Sequence, residues 1–289
     1  MRFNRLYHTK GHFVKTIIGN VYTAIFGLGI SKGDLLVLNY HSTPEKLHQS
    51  FIKQITYLEN KFTFLNPSDL EEFMKGKLDE SKRYVLLTFD DGLLNNLKTI
   101  KYLNNKGVYS ILFVVPGFID SEDGKAFYIK NIRPVINANI DNGNEDFVAI
   151  NWDKLAELYK NGNVIGAHTH NHILTKDLDH NSIVDEIVNC KSIIESKLNC
   201  KVEMFCSPNN TLMSVGDLAL KLIQDNYKFH FTTIPGSNSV HKNSLFIKRV
   251  NVESFWTKGA FKFALSKVER NRYKNERSTY EKLIENSKK

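Results

Sequence analysis

From residue 35 onward, short apolar runs alternate with stretches of helical periodicity. The runs Leu35–Tyr40, Tyr84–Phe89, Tyr109–Val115, Val164–His168, Val202–Cys206, Lys228–Thr233 and Leu245–Val250 read as buried strands. Each is too short for a buried helix and rich in β-branched or aromatic residues. Between them, helical patterns lie near 47–60, 67–75, 93–105, 152–161, 182–198 and 213–225. Strands alternating with helices predict parallel βαβ units, hence an α/β fold, either a doubly wound sheet or a barrel. Residues 117–148 read as a long insertion, with Asp141–Asp146 as a surface turn.

The first thirty residues carry a different pattern. Apolar pairs recur every four residues, at Phe13/Val14, Ile17/Ile18, Val21/Tyr22 and Ile25/Phe26, with polar or small residues between them. That spacing predicts an amphipathic helix with one apolar face. Lys15 and Asn20 interrupt it, and a spanning helix needs ~20 predominantly apolar residues. Three readings stay open: a helix lying at a lipid interface, a helix docked on the domain, and a signal or anchor with Gly27 and Gly29 as a poor small-residue pair. The chain thus divides into a basic N-terminal helix (1–33), a catalytic body (34–255) and a basic helical tail (256–289).

Charge sharpens that division. Of the 289 residues, 42% are hydrophobic and 24% charged, enough apolar content for a packed core and against a disordered chain. The net charge of +8 is unevenly placed. Residues 1–33 hold five cationic side chains and no acid, residues 256–289 hold ten Lys/Arg against four Glu, and the body is mildly acidic. Nucleic acid is not an expected partner, because a basic binding groove needs cations spread through the fold. Basic ends beside an apolar helix face fit an anionic membrane surface, so peripheral association with the bacterial cytoplasmic membrane is expected, on its cytoplasmic face, with export left open. Cys190, Cys200 and Cys206 make no disulfide framework.

The chemistry concentrates at two strand ends. The run Tyr84–Phe89 leads directly into Asp90-Asp91-Gly92, and paired carboxylates at a buried strand end require positive partners. The run from Val164 ends in His168-Thr-His-Asn-His172. Read as a helical turn, this places His168 and His172 on one face with Cβ atoms ~5–6 Å apart, while His170 points away. Two histidines and one carboxylate with open positions form the layout of a hydrolytic metal site.

Thr88-Phe-Asp-Asp-Gly92 followed by Ile165-Gly-Ala-His-Thr-His-Asn-His172 resembles the polysaccharide deacetylase family, carbohydrate esterase family 4, and the segment 150–164 resembles its helix before the metal strand. The similarity spans roughly residues 35–255. It implies a distorted (β/α) barrel with fewer strands than a TIM barrel, and metal-dependent removal of acetyl groups from N-acetylated or, less often, O-acetylated sugars. Position by position, the resemblance makes Asp90 the general base and Asp91, His168 and His172 the ligands of a divalent metal: zinc first, with cobalt, nickel or another as alternatives.

Two departures carry information. Many members have Arg-x-Pro-Tyr where this chain has Cys206-Ser-Pro-Asn209. The Asn209 backbone N–H can still donate to an oxyanion, a role that needs no side chain. Arg249, in Phe246-Ile-Lys-Arg-Val-Asn-Val, is the candidate to replace the missing arginine beside the base. No histidine follows His241, so the usual late acid is missing, and Val37-Leu-Asn-Tyr-His41 instead resembles the circularly permuted poly-N-acetylglucosamine deacetylases. In that branch the early histidine, here His41, supplies the acid. The expected partner is an N-acetylated sugar, polysaccharide or lipid-linked glycan of the cell envelope. An O-acetyl esterase and a non-catalytic sugar-binding relative are the alternatives.

Overall fold

The computed structural model describes residues 10–132, 148–209, 214–242 and 244–286. Its strands are β1 (Leu35–Tyr40), β2 (Thr63–Phe64), β3 (Tyr84–Phe89), β4 (Ser110–Val114), β5 (Val164–Ala167), β6 (Met204–Cys206), β7 (Phe229–Phe231) and β8 (Arg249–Asn251). Its longer helices are α1 (Lys10–Phe26), α2 (His48–Glu59), α3 (Leu97–Asn104), α4 (Trp152–Lys160), α5 (Cys190–Leu198), α6 (Asp217–Asn226), α7 (Lys258–Leu265) and α8 (Lys274–Asn286). The strands pair in the order β7-β6-β5-β4-β3-β1-β8, all parallel. A parallel bridge from Phe231 to Ile247, just before β8, nearly closes this sheet into a barrel of seven strands wrapped by helices. The distorted (β/α) barrel expected from the resemblance is therefore the observed fold, with the N-terminal helix present.

Alternation along each strand sorts side chains between two cores. Leu36, Leu38 and Tyr40 of β1 and Val85, Leu87 and Phe89 of β3 face outward, into the layer beneath the helices. Leu35, Val37, Leu86, Phe113, Met204 and Phe231 fill the barrel. Continuing the inward parity of β1, β3, β5 and β6 past Val37, Leu86, Val164 and Met204 leads through Asn39 to His41, through Thr88 to Asp90, through Gly166 to His168, and to Cys206. One period-two pattern thus stacks the apolar plug at the bottom and the polar residues at the C-terminal ends of the strands, where sites of parallel α/β barrels sit.

Several expected boundaries move. The last strand was expected at Leu245–Val250, yet it pairs with β1 only at Arg249–Asn251, because the preceding residues turn aside to bond β7. β2 has no sequence signal of its own, since two residues are too few to show a period, and β3 holds it at Tyr84–Val85. The helical pattern near 182–198 contains a π-bulge at Asp185–Asn189. The surface turn expected at Asp141–Asp146 lies outside the described residues.

The N-terminal helix docks on α7, and it does so the unexpected way round. Gly19 and Gly259 meet at the crossing: a Cβ on Gly19 would lie 1.9 Å from the Gly259 carbonyl oxygen, so no larger residue fits. No described helix is long and apolar enough to cross a membrane.

Candidate active site

Asp90 and Asp91 are both buried to 1% exposure, yet their surroundings are opposite. Asp90 continues the inward face of β3. Arg249 of β8 meets it with a two-pronged bridge, Nη1 donating to Oδ1 at 2.7 Å and Nη2 to Oδ2 at 2.9 Å. The guanidinium also donates to Thr88 Oγ1 (3.1 Å), the Thr232 carbonyl (2.9 Å) and Cys206 Sγ (2.8 Å), and lies 5.3 Å from the Phe113 ring centre. Burial alone would push the Asp90 carboxyl up, but Arg249, then His168, outweigh it and hold the group well below the usual carboxylate range. Arg249 is the bulkiest fully buried side chain among the described residues, and Asp90 likewise keeps its guanidinium charged against burial. Arg249 therefore stands where the missing arginine was sought, and its Nη2 rests on Cys206, the residue that replaces it in the sequence.

Asp91 breaks from the strand with φ 70°, a left-handed conformation uncommon outside glycine. Strict alternation would send Asp91 outward after Phe89, and the turn instead aims it at the histidines. His172 Nε2 lies 3.4 Å and His168 Nε2 3.7 Å from Asp91 Oδ1, a buried atom with no hydrogen-bond partner. Each histidine is held from behind: His168 Nδ1 sits 2.7 Å from the Cys206 carbonyl and His172 Nδ1 3.0 Å from the Asn131 carbonyl. A carbonyl only accepts, so each Nδ1 carries a proton and each Nε2 is the ring nitrogen turned toward Asp91. Burial holds the His168 imidazole down, at about 4, and so neutral. Three ligand atoms from Asp91, His168 and His172 lie within 4.8 Å of one another. An orphaned carboxylate oxygen facing two imidazoles anchored from behind is the donor set of a divalent cation. A second grouping of Asp90, His168 and Cys206 is spatially as close, but Arg249 already occupies both Asp90 oxygens and the thiol.

The expected helical turn over His168–His172 is not formed. The segment is an irregular loop with Thr169 at φ 58° and His172 at φ 57°, and these two left-handed residues bring the rings together. The ring centres are 5.0 Å apart. His170 points elsewhere, as expected, and stays outside the group.

His41 follows β1 and places Nε2 3.9 Å from Asp90 Oδ2, the same oxygen that lies 3.9 Å from His168 Nε2. Its side chain is 21% exposed, so it sits at the mouth rather than sealed within a strand. Asn209 follows Ser207 and Pro208 at the rim after β6, exposed and at φ 44°.

Side chains that carried no sequence signal hold this arrangement. Asn96 Nδ2 donates to the His41 carbonyl at 2.9 Å and its Oδ1 accepts from Thr43 Oγ1 at 2.8 Å, tying the loop after β1 to the loop after β3. Glu186, buried within the π-bulge, accepts from the Asn171 backbone N–H and its side-chain amide, both at 2.8 Å. Its carboxylate thus fixes the turn between the two histidines. Glu186→Ala is expected to weaken metal affinity by about 10–100-fold, the usual effect of losing a group that orients ligands, while the fold survives. Titration of a divalent cation into the chelated variant checks this, and unchanged affinity would mean that the ligand loop holds itself.

A family model described as polysaccharide deacetylase matches residues 77–223, a little over half of the chain and both carboxylate and histidine segments. The chain belongs to the polysaccharide deacetylase family. It is a hydrolase of the class that removes acetyl groups from sugar polymers. Solved structures share the fold of this deacetylase at low identity. They include IcaB from Ammonifex degensii (19% identity, 82% of this chain and 97% of that one, TM-score 0.62). A de-N-acetylase from Aggregatibacter actinomycetemcomitans is similar (16%, 80% and 99%, TM-score 0.61), as is the Streptococcus pyogenes deacetylase PplD in complex with acetate (18%, 76% and 92%, TM-score 0.59). No curated protein matches the deacetylase significantly.

Proposed function

We propose that this deacetylase removes N-acetyl groups from an N-acetylated glycan and needs a divalent metal to do so. The observation that carries the reading is the opposite state of two adjacent carboxylates. Arg249 bridges both oxygens of Asp90, whereas Asp91 Oδ1 is buried, unpartnered and faced by the Nε2 atoms of two imidazoles. A divalent cation held by Asp91, His168 and His172 supplies Lewis-acid polarisation of the acetyl carbonyl and of water.

The chain's own groups do the rest. Asp90, kept ionised by Arg249, accepts the proton of the attacking water through Oδ2, the oxygen turned toward His41 and His168. The Asn209 backbone N–H donates to the oxygen that gains charge as the carbonyl becomes tetrahedral. His41 delivers a proton to the departing nitrogen. An amine anion is a very poor leaving group, so an amide requires this acid, whereas an ester's alkoxide requires it far less. A histidine at the mouth beside the base thus favours the N-acetyl over the O-acetyl substrate.

His41→Ala is therefore expected to keep its metal and to lower acetate release from N-acetylglucosamine oligomers by roughly 10²–10⁴-fold. An activated acetate ester should lose far less. Equal losses on both substrates would make His41 a binding residue, and faster release from O-acetylated than from N-acetylated oligosaccharides by the unaltered chain would reverse the substrate assignment.

A further inference from the structure

An amphipathic helix on a water-soluble domain normally buries its apolar face. Helix α1 does the reverse. Its contact with α7 uses small and polar residues: Gly19 against Gly259, Thr16 Oγ1 2.6 Å from Thr257 Oγ1, and Asn20 Oδ1 accepting from Lys262 Nζ at 3.3 Å. Its outward face carries Phe13, Val14, Ile17, Val21, Ile25 and Phe26, each between 48% and 67% exposed. Most of the large exposed apolar side chains among the described residues lie on this one helix. Scattered exposed leucines need no explanation, but a contiguous apolar ridge does.

The flank of the ridge is cationic. Lys258 and Lys262 of α7 both reach over the Tyr57 ring, at 5.9 and 5.7 Å from its centre. Burial first, then the neighbouring charges of Lys258 and Lys61, lower the Lys262 amine. Lys15 stands on α1 itself, and the described part of α1 holds no acid to offset these charges. The ridge also has a defined position relative to the catalytic mouth. Lys15 and Asn251 line one cavity of about 470 Å³, and Asn251 bonds Asn39, two residues before His41.

We propose that α1, clamped to α7 through its polar face, is a docking surface for an anionic phospholipid bilayer, holding the barrel mouth beside the membrane. Apolar side chains enter the acyl boundary while the lysines meet the headgroups, the two-part recognition used by helices that lie in an interface. A second protein copy would cover the apolar ridge equally well but gains nothing from Lys15, Lys258 and Lys262 beside it, since two copies of that cluster repel. Charge complementarity therefore selects the lipid.

The test uses the full chain with vesicles. Flotation with vesicles containing phosphatidylglycerol is expected to recover the protein, and vesicles of phosphatidylcholine alone, or high salt, to recover at least tenfold less. Ile17→Asp and Ile25→Asp, at exposed positions, should each reduce binding at least tenfold while melting temperature and acetate release from soluble oligomers stay unchanged. Lys258→Glu with Lys262→Glu should reduce binding as well. Absence of vesicle binding, binding unaffected by the aspartates, or equal recovery on neutral vesicles overturns the proposal. So does a wild-type dimer in solution that the aspartates convert to monomers.

Discussion

Replacing Arg249 by leucine is expected to destabilise the barrel by about 3–5 kcal/mol, because it leaves Asp90 as an uncompensated charge in a sealed interior. The guanidinium makes both bonds to Asp90 and also joins Thr88 of β3, Thr232 after β7 and Cys206 of β6. One side chain thus ties β8 to β3, to β6 and to the segment after β7. The effect should depend on the charge of its partner. The double variant Asp90→Asn/Arg249→Leu removes both ions and is expected to recover much of the lost stability, as coupled groups do in a double-mutant cycle. Denaturant unfolding of the four proteins decides this. Additive losses would mean that Arg249 stabilises by packing against Phe113 rather than by pairing. The single variant should also lose most activity, because burial would then raise the Asp90 carboxyl with only His168 and His41 left to oppose it.

The second large effect separates the adjacent carboxylates. Asp91→Ala removes the one carboxylate facing His168 and His172, so metal content should fall below one-tenth of the parent and turnover with it. Asp90→Asn leaves that donor set whole, so its metal content should match the parent while turnover falls by about 10²–10⁴-fold, the usual worth of a general base. Elemental analysis beside acetate release measures both. Equal metal loss in the two variants would show that Asp90 is also a ligand.

How far the molecule was legible in its sequence depends on whether a feature is local. Strands such as Leu35–Tyr40 and Tyr84–Phe89 stood out because burial on both faces demands a continuous apolar run, and their boundaries are as expected. Asp90-Asp91 and His168-x-x-x-His172 were legible because the chemistry needs particular residue types at particular spacing. What the spacing did not disclose was conformation. The histidines meet through two left-handed residues rather than a helical turn, and Asp91 leaves the strand through another. The partners of the polar groups were equally hidden. Arg249 could be named only as a candidate, since its 159-residue separation from Asp90 is closed by the pairing of Val37 with Arg249, and β1 in turn with β3. Glu186 and Asn96 read as ordinary polar positions on helices, and only the tertiary fold buries them behind the site. Helix α1 shows the reverse lesson. Its periodicity was plain, but which face would be buried depended on Gly259, far away in the chain.

If the attack on the acetamide depends on a metal, acetate release should follow the removal and return of that metal. Acetate released from N-acetylglucosamine oligomers is followed for the purified chain, for the same protein after chelation and dialysis, and after return of zinc, cobalt or nickel. Release is expected from the first, loss of nearly all of it in the second, and recovery in the third. Release that survives chelation, or a chain that frees acetate only from O-acetylated sugars with or without metal, would contradict it.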